Sequence, residues 1–319
     1  MNYLRISVTD RCNLRCIYCM PANGILNKPH SEILSFEQIK RIVKAAAGLG
    51  IEKVRITGGE PLVRKDLHLL IEELKNIGSL KELGLTTNGI NLSKHASSLK
   101  KAGLDRVNIS LDSLVPERFE RITRGGSLNS VLRAIETCLS IGYSTLKINT
   151  VLLKGFNTDE ILNFAKMAKA RPIDVRFIEY MPTDLNHPSH EDLFFSALEA
   201  KRICGDLGRL APIHSERSST AKVFRIDGFC GTVGFITPIS ESFCASCNKL
   251  RLTSDGRLRS CLHSSKAIDL KSALETGASE EDLARLVKEA VETKPESHNL
   301  LNAPLGRDSE IYSMCQIGG

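Results

Sequence analysis

The chain has 319 residues, 42% of them hydrophobic and 25% charged, with a formal net charge of +6. This is the balance of a soluble globular protein, long enough for one large domain or for one domain with an appendage. No apolar run approaches the 18 or more residues of a membrane span, and Met1-Asn2-Tyr3-Leu4-Arg5 lacks the layout of a signal peptide, so a cytoplasmic location without membrane association is expected. Six of the ten cysteines fall in two tight groups, which argues for metal rather than disulfides in a compartment that keeps thiols reduced. A charge of +6 serves solubility if spread evenly, and attracts a polyanion such as a nucleotide if gathered into one cavity.

In chain order, β-branched runs predict strands at 3–8, 53–57, 82–86, 105–111, 145–152 and 172–180. Apolar positions recurring at three and four residues predict helices at 35–49, 66–76, 93–102, 128–141 and 159–169 between them. Ser35 with Gln38, and Ser93, suit helix N-caps, while Gly48, Gly50, Gly78, Gly103 and Gly142 suit C-terminal caps. Six strand–helix units in succession give an α/β fold with a parallel sheet. Right-handed crossovers curl it into a partial (β/α)6 TIM-like barrel, with an open doubly wound sheet as the competing arrangement. Beyond residue 199 the pattern changes to a helix at 194–204, a polar linker at 211–220, a hairpin of 222–226 and 232–236 about Asp227-Gly228, and a last helix at 280–292. A boundary near residue 220 divides the chain into 1–220 and 221–319.

Chemistry concentrates after the first strand, where Cys12, Cys16 and Cys19 are spaced C-x3-C-x2-C. Three thiolates on one loop can hold three corners of a four-iron cube and leave the fourth iron open to a ligand. A zinc site short of one ligand, or a disulfide with a cysteine left over, are the competing readings. Cys244, Cys247 and Cys261 form a second group, which His263 could complete as a zinc tetrahedron. Arg5, Arg55, Lys147 and Arg176 interrupt strands that a sheet covered on both faces would make nearly all apolar. Burying an unpaired charge costs several kcal/mol, so four such cations call for carboxylate partners, for which Glu179 and Asp112 are candidates, or for an anionic, phosphate-bearing ligand. Thr57-Gly58-Gly59-Glu60-Pro61 follows the second strand. Its glycines let a ligand approach the backbone, and its carbonyls and carboxylate suit an ammonium donor. Thr86-Thr87-Asn88-Gly89 and Ser110-Leu111-Asp112-Ser113 lie at the same strand ends, where parallel barrels build active sites.

With these residues assembled, the chain resembles the radical S-adenosylmethionine enzymes and, more narrowly, the GTP 3′,8-cyclase family of molybdenum cofactor biosynthesis. The resemblance is carried by Leu4–Asn13, Val54–Leu62, Leu85–Gly89, Arg176–Pro182 and Phe243-Cys244 through Cys261-Leu262, and it extends from residue 3 to the last glycine. It implies a lyase in which Cys12, Cys16 and Cys19 hold one 4Fe-4S cluster, and Cys244, Cys247 and Cys261 hold a second that meets the guanine end of GTP. S-adenosyl-L-methionine on the first cluster would yield a 5′-deoxyadenosyl radical, with Tyr18, Gly59, Ser110 and Met181 lining its pocket. Arg5, Arg55, Thr86, Lys147, Arg176, Lys249, Leu250 and Arg251 match positions that hold GTP or lie beside it. Lys249 departs from the arginine usual in the family, which keeps the charge but loses the bidentate fork.

The implied reaction removes hydrogen from ribose C3′ of GTP, joins that carbon to guanine C8, and ends at 3′,8-cyclo-7,8-dihydro-GTP. The product would pass to a cyclic pyranopterin monophosphate synthase. An electron donor is implied as partner, nucleic acid is not, and a homodimer is allowed. In the resembled family the tail Gly318-Gly319 reaches into the active site and is needed for activity; taken alone the same residues read as a frayed end. Two other readings compete: a peptide-maturing radical enzyme with an auxiliary cluster, and a zinc protein binding nucleic acid, for which 5% aromatic residues make a poor stacking platform.

Overall fold

The computed structural model describes residues 1–143, 145–181, 190–213, 220–264, 266–296 and 314–318. Strands β1 (Tyr3–Ser7), β2 (Lys53–Thr57), β3 (Glu82–Thr87), β4 (Arg106–Ser110), β5 (Leu146–Leu152) and β6 (Ile173–Glu179) lie side by side in sequence order, each parallel to the next. Helices α1 (Phe36–Gly48), α2 (Leu67–Lys75), α3 (Leu92–Lys101), α4 (Pro116–Thr123), α5 (Leu128–Ser140) and α6 (Ile161–Lys166) form the crossovers. The predicted six-unit arrangement is therefore present, with α4 as an added helix before α5. Ser35 and Gln38 close the predicted capping box, each side chain bonding the other's backbone N–H.

The strands are alternating rather than apolar throughout. Side chains of a strand point to opposite faces in turn, so Val54 and Ile56 pack against the helices while Lys53, Arg55 and Thr57 face inward. The same holds for Leu83 and Leu85, Val107 and Ile109, and Leu146 and Ile148, which join one continuous core. The cations thus fall at inward positions of these strands, on a polar face they share with Glu82, Thr86, Asn108 and Asn149.

The rest of the chain extends this sheet at both edges. After α7 (His190–Leu193) and α8 (Ala197–Cys204), strands β7 (Leu210–Ile213), β8 (Lys222–Ile226) and β9 (Thr232–Ile236) form an antiparallel meander, and β9 pairs in parallel with β6. β7 falls partly within the segment expected to be a linker. Phe177 and Phe235 stack across the β6–β9 junction at 5.8 Å. At the opposite edge β10 (Lys249–Leu252) pairs in parallel with β1, and β11 (Arg257–Arg259) and β12 (Ile268–Asp269) follow antiparallel. Helices α9 (Leu270–Glu275) and α10 (Glu280–Glu292) cover that edge, and α11 (Met314–Ile317) returns to β1. Among the described residues no helix is long and apolar enough to cross a membrane.

Candidate active site

The inner face of the sheet encloses a cavity of about 600 Å³. Arg5, Arg55, Lys147 and Arg176 all line it, and Lys53, Arg106, Lys249 and Arg251 line it with them. Arg5 stands in register with Arg55 on one neighbouring strand and with Arg251 on the other. Burial, followed by the adjacent Arg251, pulls the Arg5 guanidinium down to about 9. Burial, followed by Arg176, pulls Lys147 down to about 7.

The carboxylates expected to answer these cations are engaged elsewhere. Glu179 accepts the backbone N–H groups of Ala197 (3.1 Å), Ile239 (2.9 Å) and Ser240 (3.0 Å), so it ties α8 to the loop after β9. Asp112 accepts the Tyr18 hydroxyl at 2.6 Å and the Val151 N–H at 2.9 Å. Both acids sit at strand ends, whereas the cations sit deeper. The acids that do meet cations are Glu82, 3.6 Å from Arg55 and 3.2 Å from Arg106, and Asp174, which takes Arg176 at 2.7 Å and Lys147 at 3.6 Å. The wall remains strongly positive. Arg55 Nη1, Thr86 Oγ1, Asn108 Oδ1, Asn149 Oδ1 and Lys249 Nζ are buried with no hydrogen-bond partner among the described residues. Buried polar groups are normally satisfied, so this wall has both unmet donors and acceptors and a strong positive charge to offer a polar ligand.

Cys12, Cys16 and Cys19 open onto the same cavity. Their loop is docked on the end of α4 by bonds from Arg15 N to Thr123 O (3.0 Å) and from Ile17 N to Ile122 O (2.9 Å). It is turned by Cys19 N and Met20 N, both bonding Cys16 O. Leu14 N donates to Cys12 Sγ at 3.4 Å. Burial pushes the Cys12 thiol up to about 12 and Cys16 well above its ordinary value; a hydrogen bond with Cys315, then burial, does the same to Cys19. Thiolates at this depth need a cationic centre on them.

The Gly58-Gly59 turn serves a purpose other than the one expected. A Cβ on Gly59 would lie 2.3 Å from Arg11 O, because this turn runs in contact with residues 9–11: Gly59 N bonds Thr9 O (2.7 Å) and Glu60 N bonds Arg11 O (2.8 Å). The glycines admit the neighbouring loop. Glu60 is likewise spent on protein. Its Oε1 accepts Leu62 N (3.0 Å) and Thr87 Oγ1 (2.7 Å), its Oε2 accepts Asn88 N (2.7 Å), and burial holds it up at about 7. It braces the loops after β2 and β3. Gly59 still borders the cavity, as do Tyr18, Ser110, Thr86 and Met181.

On the other side, Cys244, Cys247 and Cys261 also line the cavity. Cys244 opens a single 3-10 turn closed by Cys247 N on Cys244 O (3.0 Å), directly before β10, and Cys261 follows β11. Lys249 lies 5.6 Å from the Tyr3 ring centre and 5.9 Å from that of Phe243, and burial pulls it down to about 7. Leu250 is fully buried in the core. Alternation turns its side chain away from the cavity that Lys249 and Arg251 face, so the expected substrate contact is not made by that side chain. Arg251 Nη1 donates to Gly318 O at 2.6 Å. A Cβ on Gly318 would lie 2.6 Å from Thr57 Cγ2, so the tail is seated against β1 and β2. Gly319 lies outside the described residues.

All six grouped cysteines are free thiols. Among the described residues no three His, Cys, Asp or Glu side chains are arranged to hold a single metal ion. A cubane takes its thiolates on separate irons, so the donor set fits two clusters. The sequence reading missed Lys53 and Arg106, which period-2 alternation from Arg55 and Asn108 would have found, and Lys294, which carried no local signal.

Comparison with known proteins bears on this site. The profile of the Radical SAM superfamily matches residues 6–168, and that of Molybdenum Cofactor Synthesis C matches residues 173–300. The GTP 3′,8-cyclase of Alkaliphilus oremlandii (strain OhILAs) is 47% identical over 319 residues, covering 100% of this chain and 98% of that protein. The GTP 3′,8-cyclase of Clostridium botulinum (strain Langeland) is 46% identical with the same coverage. Among solved structures, Streptococcus suis SuiB bound to S-adenosylmethionine superposes with a TM-score of 0.59 at 16% identity, over 89% of this chain and 62% of that one, a likeness of fold.

Proposed function

We propose how this chain, which belongs to the GTP 3′,8-cyclase family of the radical S-adenosylmethionine superfamily, divides its reaction among its residues. It converts GTP to (8S)-3′,8-cyclo-7,8-dihydroguanosine 5′-triphosphate, the first step of molybdenum cofactor biosynthesis, with two 4Fe-4S clusters and S-adenosyl-L-methionine as cofactors. When bound, the first cluster and S-adenosylmethionine supply the electron and the radical that takes hydrogen from the ribose. Cys12, Cys16 and Cys19 would hold that cluster, and Cys244, Cys247 and Cys261 the other. Tyr18, fixed by Asp112, borders the S-adenosylmethionine pocket with Gly59, Ser110 and Met181. Arg5, Arg55, Lys147, Arg176 and Arg251 neutralise the triphosphate and set its direction, with Thr86 and Lys249 satisfied on binding. Gly318 is held by Arg251, and the tail Gly318-Gly319 is needed for turnover.

The observation that carries this reading is that two groups of three free thiols open onto one cation-lined cavity. Orientation of two reactants is worth several kcal/mol of barrier, and a substrate held between two cluster sites meets that need. Met181, Met314, Leu262 and Ile317 pack together as a small apolar cluster, of which Met181, Met314 and Leu262 also border the cavity. The test is anaerobic reconstitution with iron and sulfide, then incubation with dithionite, S-adenosylmethionine and GTP. About eight irons per chain and a GTP-dependent cyclised product by mass are expected; zinc in place of iron, with no cleavage of S-adenosylmethionine, would overturn it. The same proposal includes the division at residue 220, an external electron donor, delivery to a cyclic pyranopterin monophosphate synthase, a cytoplasmic location and a homodimer.

A further inference from the structure

We propose that Lys294 is a positioning residue of the C-terminal cluster: its ammonium group ties together the segments that carry Cys247 and Cys261 and donates to the Cys247 sulfur. The inference rests on the cluster reading above. Lys294 follows the C-terminus of α10, whose N-terminus is set by the Ser279–Asp282 capping box. Its Nζ donates to Ser260 O at 2.6 Å, to Lys249 O at 3.0 Å and to Cys247 Sγ at 3.6 Å. Ser260 precedes one ligand and Lys249 follows another by two residues, so one side chain ties together two segments that the β10–β11 pairing also joins.

An ammonium group has three hydrogens, and three protein acceptors use them all. Lys294 therefore has none left for the nucleotide and does not border the cavity, in contrast to Lys249, whose Nζ is buried there without a hydrogen-bond partner among the described residues. Two neighbouring lysines thus have separate tasks, one toward the substrate and one toward the ligand loop. Carbonyl dipoles do not neutralise a cation; the Cys247 sulfur, as a thiolate, does. A positive charge and a hydrogen bond on a ligand sulfur stabilise the more negative, reduced state of a cluster, and hydrogen bonds to sulfur are among the factors that set cluster potentials. Lys294 raises the reduction potential of this cluster and slows its loss.

The test uses the full chain with Cys12, Cys16 and Cys19 changed to alanine, so that only the C-terminal cluster remains to be read. In an EPR-monitored redox titration Lys294→Met should move the midpoint to a more negative value and release iron to a chelator several-fold faster, while Lys294→Arg stays near the parent. Lys294→Gln keeps a neutral donor, and should lower the midpoint with iron retention close to the parent, which separates charge from folding if the methionine variant proves unstable. Parent-like midpoints in both neutral variants would overturn the assignment. A parent chain that binds no iron would overturn the cluster reading itself, and Lys294's role with it, before any change at Lys294.

Discussion

Arg251 donates from Nη1 to the carbonyl oxygen of Gly318 at 2.6 Å, joining an inward cation of β10 to the last described residue of the chain. The same glycine packs against Thr57 of β2, so this end of the chain is seated on the sheet rather than trailing from it.

Deleting Gly318 and Gly319 should therefore lower GTP cyclisation by about a hundredfold, the scale of a lost positioning contact, while iron content is kept. Product formation by mass and iron per chain measure the two separately. Turnover at the full rate would place the tail outside the site.

Arg251 carries two tasks and Lys249 one. Arg251→Lys keeps the charge but loses the planar fork, and should weaken GTP binding by about tenfold, or about 1.4 kcal/mol. Lys249→Met should cost less, and Lys249→Arg should bind GTP at least as tightly as the parent. Calorimetric titration of the three variants ranks them; a larger loss at Lys249 would reverse the assignment.

Lys147 gives the nucleotide-free chain a pH signature. Its folded value lies near 7, below the ordinary 10.5, so between those values the unfolded chain holds a proton that the folded one lacks. Stability then rises with pH across this window, by at most about 1.4 kcal/mol per unit. Lys147→Met should flatten that slope in urea denaturation and raise stability at neutral pH, while weakening GTP binding. GTP should in turn draw a proton onto Lys147, seen as a binding enthalpy that depends on the buffer.

Glu60 braces two loops through three hydrogen bonds. Glu60→Ala leaves the Thr87 hydroxyl and the Asn88 N–H without their acceptor, and should destabilise the cluster-free chain by about 1–3 kcal/mol. Denaturation of the chain before reconstitution reads this; an unchanged midpoint would return the carboxylate to a purely ligand-binding task.

The six strands, their order and the inward cations were legible because strand periodicity and charge placement are local properties of the sequence. Arg5, Arg55, Lys147 and Arg176 could be read from their strands alone. Their partners could be read only in part: Asp174 lies two residues from Arg176 on the same strand, but Glu82 meets Arg55 and Asp174 meets Lys147 only through register between strands, and Glu179 and Asp112 proved to serve backbone groups at strand ends. β10 was missed because a four-residue strand paired to one 246 positions earlier leaves little local trace. Lys294 was illegible for the same reason, since its acceptors lie 34 to 47 residues away.

The row Arg251–Arg5–Arg55 has a consequence for assembly of the sheet. Three guanidinium groups on adjacent strands repel one another, and the strand that can yield is β10, the last of the three to be synthesised and attached to the barrel through β1. A triphosphate laid along the row would replace repulsion by a shared counter-charge, and a bound nucleotide would then fasten the sheet as well as serve as its substrate. Amide hydrogens of residues 249–252 should exchange more slowly once GTP, or inorganic triphosphate alone, is added, while those of β3 and β4 remain as they were.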